Sequence, residues 1–280
     1  MQMTHPHWED TAELKALWKE IFQDTDAYID LFFRKKYLPE NTFLIKTDGK
    51  IVSMLYFFPA DFRFREASVS AAYVCGVATR PEYRGRGYSR KLLLGAVDAI
   101  RTRGYGAAFL IPASPSLFSF YQKNGGFQPY FYHKKLVIER RDAAAEKPKE
   151  FSFSAEKFAE FYARLNRNCL FYCEKTEKEF EELYAFYQPE GCAFHLLEEG
   201  YLIFETEKQI LYVRESFFAS EKARETAIQF YLQKNNCRKA VFTLPANRGE
   251  GTPYASLLLL DNREKEIGAT KNSYVNLMLN

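Results

Sequence analysis

Residues 83–93 read Tyr-Arg-Gly-Arg-Gly-Tyr-Ser-Arg-Lys-Leu-Leu and join an apolar run, residues 71–78, to a helical pattern. A strand that breaks into glycine and arginine and re-forms as a helix is built to hold an anion. Gly85 and Gly87 let backbone N–H groups approach a ligand with no Cβ in the way. The helix N-terminus adds the positive end of its dipole, and Arg84 and Arg86 add full charges. The segment predicts a pyrophosphate cradle made of Arg84, Gly85, Arg86, Gly87, Tyr88 and Ser89.

Several glycine-rich turns have this outline. A dinucleotide-binding turn needs G-x-G-x-x-G; Gly85 and Gly87 fit it, but Arg90 stands where the third glycine belongs. A P-loop needs Gly-Lys followed by Ser or Thr, a pairing the chain does not contain. A plain Arg-Gly surface turn requires no ligand, but it does not explain the strand before and the helix after.

Arg84-x-x-Gly87-x-Ser89 resembles the R/Q-x-x-G-x-G/A signature of the GNAT acetyltransferases, with Ser89 at a position usually Gly or Ala. Serine is compact there and is expected to donate a hydrogen bond to phosphate. Val77-Ala78-Thr79 resembles the end of the family's splayed fourth strand, and residues 109–114 resemble its fifth strand and exit. Residues 120–127, Phe-Tyr-Gln-Lys-Asn-Gly-Gly-Phe, are similar to the family's F-Y-x-K-x-G-F segment with one glycine more. The resemblance covers most of residues 10–140. It implies an α+β fold with a central mixed, mostly antiparallel sheet flanked by helices, and acetyl-CoA as co-substrate without a metal.

The order of elements agrees. Leu14, Leu17, Trp18, Ile21 and Phe22 repeat at helical spacing behind Asp10 or Thr11 as cap, and a second helix is expected over 27–37. Strands are expected at 42–46 and 51–58 around an Asp48-Gly49 turn, then at 62–65 and from Ala71. Leu92, Leu93, Ala96, Val97 and Ile100 form the apolar face of the helix behind the cradle.

Residues 141–150 are charged and alanine-rich with a proline, and read as a linker between domains at 1–140 and 151–280. The second half echoes the first: a strand at 210–213, a helix at 220–233 and a strand at 240–245. The loop expected between strand and helix, 214–219, has no glycine and carries Glu215 where phosphates would lie. Two readings stand: a degenerate GNAT-like repeat that no longer holds coenzyme, and chance likeness of two common αβ units. An active and a degenerate domain in tandem resembles the enhanced-intracellular-survival branch of the family. That branch adds a sterol-carrier-like domain ending in a catalytic carboxylate; 280 residues leave no room for it, so Asn280 is given no such role.

Composition narrows the partners. Lys plus Arg at 39 against Asp plus Glu at 36 leaves +3, too even for a dedicated nucleic-acid binder. No apolar run reaches the roughly 18 residues of a membrane span, and no signal-peptide pattern opens the chain. With 26 Phe and 19 Tyr, an aromatic residue alone says little about a ligand site. Cys75, Cys169, Cys173, Cys192 and Cys237 lack metal-site spacing and read as packed, reduced thiols, which with the rest predicts a cytoplasmic protein.

Carried over residue by residue, the resemblance implies that the Val77 N–H polarises the thioester carbonyl. It also implies that Val77 and Thr79 pair with the pantetheine arm as an added strand would. Tyr121 is the candidate general acid, since a phenol of pKa about 10 is protonated at neutral pH; a core tyrosine is the competing view. Ser114 is either a pantetheine ligand or a turn serine beside Pro115. No Glu, Asp or His on residues 71–79 offers a general base, and a lone His133 reads as structural. The expected reaction is acetyl transfer to a primary amine of a small molecule or peptide. An acyl-CoA-binding regulatory module and a tandem-GNAT aminoacyl transferase are the alternatives.

Overall fold

The computed structural model describes residues 2–260 and 273–276, so Asn280 lies outside the described residues. Among these, 2–131 with 253–260 form one compact unit, and 132–252 with 273–276 form another.

The first unit runs β1 (Met3–Thr4), α1 (Thr11–Phe22), α2 (Asp26–Lys35), β2 (Thr42–Thr47), β3 (Lys50–Phe64), β4 (Ala67–Thr79), α3 (Tyr88–Thr102), β5 (Ala107–Leu110) and α4 (Pro115–Gly125). Asp48 and Gly49 both take left-handed φ values, 51° and 78°, as the tight turn between β2 and β3 needs. The separate strand expected at 62–65 does not exist. β3 continues through Pro59, which faces Ala72, and stays paired with β4 as far as Phe64 opposite Ala67. The ladder thus runs unbroken through Pro59. Asp10 does not cap α1 through its side chain, because its carboxylate accepts from the His7 N–H at 2.9 Å and pairs with Lys46 at 2.5 Å.

Leu92, Leu93, Ala96, Val97 and Ile100 on α3 are all buried, against Phe43, Val52, Leu55 and Phe57 of the sheet. The apolar stripe thus fixes which side of α3 faces inward, while the connection from β4 sets where its N-terminus begins. The extra glycine after Tyr121 has a packing reason: a Cβ on Gly125 would stand 2.6 Å from Leu93 Cδ2, where α4 crosses α3.

The chain then enters the second unit along β6 (Gln128–Glu139), from Tyr132 onward. There follow β7 (Glu150–Phe151), α5 (Ala155–Leu165), β8 (Phe171–Cys173), α6 (Glu177–Tyr187), β9 (Ala193–Leu197), β10 (Gly200–Glu207), β11 (Ile210–Phe218), α7 (Glu221–Lys234) and β12 (Lys239–Ala246). Last come β13 (Thr252–Leu259), which lies in the first unit from residue 253, and β14 (Ser273–Tyr274) in the second. The loop expected at 214–219 is largely strand, because β10 holds β11 as far as Phe218 opposite Gly200. Residues expected as a linker lie against α7: the Arg141 and Ala145 N–H groups donate to the side chains of Gln229 and Gln233 at 2.8 and 3.1 Å.

Among the described residues, the main run of strands in each unit has one parallel pair among antiparallel ones, and β8 and β14 of the second unit pair parallel beside it. In the first the order is β1-β2-β3-β4-β5-β13, with β4 parallel to β5. In the second it is β6-β12-β11-β10-β9-β7, with β11 parallel to β12. The strand antiparallel to β5 is β13, from the far end of the chain, and the strand antiparallel to β12 is β6.

Candidate active site

β4 pairs with β5 only from Ala71 opposite Ala107 to Tyr73 opposite Phe109, and beyond that point the two parallel strands part. Residues 74–79 therefore keep β3 on one side and are released from β5 on the other. Within this stretch Gly76 and Val77 together stand opposite Leu55, a β-bulge. Gly76 has φ +57°, and a Cβ there would lie 2.5 Å from the ring of Tyr56. Tyr56 is wholly buried, with Trp18 and Phe32 each 5.5 Å away between ring centroids, so it cannot yield. The aromatic pack on α1 and α2 thus sets the bend in β4.

The bend decides where main-chain groups point. Arg80 N–H donates to Val52 O at 2.9 Å, and Ala78 O accepts from the Ser53 hydroxyl at 2.7 Å. Residues 78 and 80 thus turn their main-chain groups toward β3. Alternation then faces those of Val77 and Thr79 the other way, into the gap left by β5. Thr79 O accordingly accepts from Arg84 Nε at 3.2 Å.

After Thr79 a single 3-10 turn, Pro81–Tyr83, leads to the cradle. Gly85 and Gly87 have φ +76° and +78°, which glycine adopts without penalty. Arg86 donates to Glu82 O at 3.2 Å and lies 5.0 Å over the Tyr83 ring, while Glu82 also faces Lys50 at 3.8 Å. α3 starts at Tyr88, and Gly87 gives it no side-chain cap. Its first helical bond is Lys91 N–H to Gly87 O, 3.0 Å, so the amides of Tyr88, Ser89 and Arg90 have no partner within the helix. Three aligned amides at a positive dipole end, beside Arg84 and Arg86, have the donor chemistry a pyrophosphate requires.

Tyr121 lies on α4, nearly buried, with burial first and the nearby Cys75 second pushing its pKa up to about 12. It is therefore a neutral phenol throughout the physiological range. Burial raises Tyr73 too, followed by the influence of Cys75, Tyr254, Tyr28 and Tyr121, so these groups share one neighbourhood. Cys75 is itself raised by burial, against the pull of the Lys36 ammonium. Ser114 precedes α4; its hydroxyl is 3.0 Å from that of Ser116 and makes no cap bond. His133 is part of the second unit, where burial pushes its pKa down to about 4 against a backbone hydrogen bond with Val275.

Sequence reasoning missed Arg80. Its buried guanidinium donates to Ile51 O at 2.9 Å, pairs with Glu20 and lies 3.8 Å from Glu13. This ties α1 to the residue from which the cradle departs. The signal was present: Glu13 and Glu20 are two turns apart, so they share a face of α1. Ser53 was missed as well, and its hydroxyl reaches Thr79 and, through it, Ser89.

Among the described residues no three His, Cys, Asp or Glu side chains gather as a metal site, and no helix is long and apolar enough to cross a membrane. Residues 5–129 match the acetyltransferase (GNAT) domain family. No curated protein matches the chain. Solved structures share its fold across 93% of its length. A conserved protein of unknown function from Enterococcus faecalis V583 is 15% identical over 72% of that chain, with a TM-score of 0.74. A GCN5-related N-acetyltransferase from Anabaena variabilis is 17% identical over 73%, with a TM-score of 0.71. Eis1 from Mycobacterium abscessus is 13% identical over 74%, with a TM-score of 0.67. The splayed β4 and the glycine turn before α3 both lie within residues 5–129, the part of the chain that matches the acetyltransferase (GNAT) domain family.

Proposed function

We propose that the first unit transfers an acetyl group from acetyl-CoA to a primary amine of a small molecule or peptide, by direct attack in a ternary complex. The observation that carries this reading is a pair of main-chain donor sets, those of Val77 and Thr79 facing the gap left by β5 and the free amides of Tyr88, Ser89 and Arg90 at the start of α3. When bound, acetyl-CoA supplies the activated acetyl thioester. Arg84, Arg86 and the Gly85–Ser89 backbone would hold its pyrophosphate, with Ser114 near the pantetheine arm. The Val77 N–H is positioned to stabilise developing negative charge on the carbonyl oxygen, an effect worth about 3 kcal/mol for one well-aimed donor. Tyr121, kept protonated by its burial, donates to the leaving thiolate.

As the C–N bond forms and the C–S bond breaks, the proton shed by the attacking nitrogen restores the Tyr121 phenol, so no further base is required if the amine arrives neutral; the phenol-lined neighbourhood of Tyr73 and Tyr121 favours that form over ammonium by desolvation. The second unit, on this reading, is a degenerate repeat. The five free thiols suit the reducing cytoplasm, where we place the enzyme.

Calorimetry with acetyl-CoA followed by thiol release over a panel of amines tests the proposal. Arg84→Ala with Arg86→Ala should raise the acetyl-CoA KM tenfold or more, since each charge-assisted hydrogen bond is worth roughly 1.5–3 kcal/mol. Unchanged affinity in the double variant would refute the cradle.

A further inference from the structure

Three hydroxyls form a line from the buried side of β3 to the first turn of α3. Ser53 Oγ is 2.7 Å from Ala78 O and 2.8 Å from Thr79 Oγ1, and Thr79 Oγ1 is 2.8 Å from Ser89 Oγ. The direction of this chain follows from counting protons. A carbonyl oxygen only accepts, so the single Ser53 proton goes to Ala78 O. Ser53 must then accept from Thr79, which commits the Thr79 proton. Thr79 in turn accepts from Ser89. Every proton is assigned, and the order runs Ser89 to Thr79 to Ser53 to the β4 backbone.

We infer that Ser53, Thr79 and Ser89 are positioning residues that brace the first turn of α3 against the end of β4, and that Ser89 is not itself a phosphate donor. The Ser89 hydroxyl has only lone pairs left to present outward, which repel a phosphate oxygen. Its value to the cradle is indirect: it holds the amides of residues 88–90 at a fixed place relative to the Val77 and Thr79 backbone. Ser53 is fully buried and lies two hydroxyls away from the cradle, yet it anchors the line. The signature position usually filled by Gly or Ala thus carries a side chain that faces the protein. This inference rests on the reading of the first unit as an acetyl-CoA site.

Two readouts on the full-length protein test it. Without coenzyme, amide hydrogen exchange at residues 91–93, the first hydrogen-bonded amides of α3, should quicken about fivefold in both Ser53→Ala and Ser89→Ala, the loss of roughly one hydrogen bond's bracing. Thr79→Ser, which keeps the hydroxyl, should exchange like the wild type. With coenzyme, Ser53→Ala should raise the acetyl-CoA KM about fivefold with kcat within about twofold, and adding Ser89→Ala should raise it little further, as for members of one network. Should Ser53→Ala not fold, Thr79→Val breaks the same line and is read in the same way. If Ser89→Ala raises KM while exchange and KM are unmoved in Ser53→Ala, Ser89 binds phosphate directly and the inference falls. A wild-type protein that binds no acetyl-CoA would overturn the proposed function instead, and the exchange experiment would still decide the bracing.

Discussion

β4 in the first unit and β11 in the second make the same departure with opposite sequels. Each runs parallel to a partner for a few residues and then parts from it, after Tyr73 and after Val213. Each also slips register against its antiparallel neighbour just past that point, at Gly76–Val77 and at Arg214. In the first unit the parted strand leads to a helix with three amides left over. In the second the corresponding groups are satisfied from within. The Ser220 hydroxyl caps α7 by accepting from Ala223 N–H at 3.1 Å. Arg214 O accepts from Asn276 Nδ2 at 2.8 Å. Glu215 is buried against Lys175 at 2.5 Å, with the Tyr201 and Tyr274 hydroxyls donating to it at 3.0 and 3.2 Å. The comparison shows that a splayed strand pair is a framework only. Whether it binds depends on whether the chain meets its own loose ends.

Breaking the filled side should have the largest effect. Lys175→Met leaves Glu215 charged, buried and unpaired, and should destabilise by about 3–5 kcal/mol in denaturant unfolding. Adding Glu215→Leu should recover much of that loss. Equal instability of the single and double variants would show that the pair is not what occupies this gap.

The open side is most exposed at its bend. Gly76→Ala forces a Cβ into the Tyr56 ring at a φ of +57° and should lose about 2–4 kcal/mol, combining backbone strain and overpacking. Acetyl transfer should fall more than stability predicts, because the Val77 amide moves with the bend. A variant with full activity would separate bulge from catalysis.

The smallest effect sharpens the contrast through acid. His133 in the second unit titrates at about 4 when folded and at about 6.5 when unfolded. Its folded pKa is depressed, so the stability it lends is present above about pH 6.5 and is lost as pH falls toward 4. Between about pH 7 and pH 5 that amounts to about 2 kcal/mol. His133→Phe should unfold with a correspondingly flatter acid dependence, while a profile parallel to wild type would put the acid sensitivity elsewhere.

Local pattern carried much of this. The stripe on α3, the Asp48-Gly49 turn and the glycine turn before α3 are each written in contiguous residues, and each forms where expected. Long-range pairing was not legible. Glu215 stood out as a misplaced carboxylate, but Lys175 lies forty residues earlier with no local mark of their meeting. Likewise Ser89 looked like a phosphate donor because sequence shows a hydroxyl but not where its proton goes. Arg80 was hidden beside Pro81, its acidic partners being on a helix sixty residues upstream.

The placement of β13 bears on how the chain is made. Leu110 finds its antiparallel partner in Ser256, after nearly the whole second unit has been synthesised. Until then one edge of β5 emerges from the ribosome with bare amides and carbonyls, open to pairing with a stray strand. The half that holds the cradle is translated first and completed last, so release of a prematurely terminated chain would yield an aggregating fragment instead of a small working enzyme.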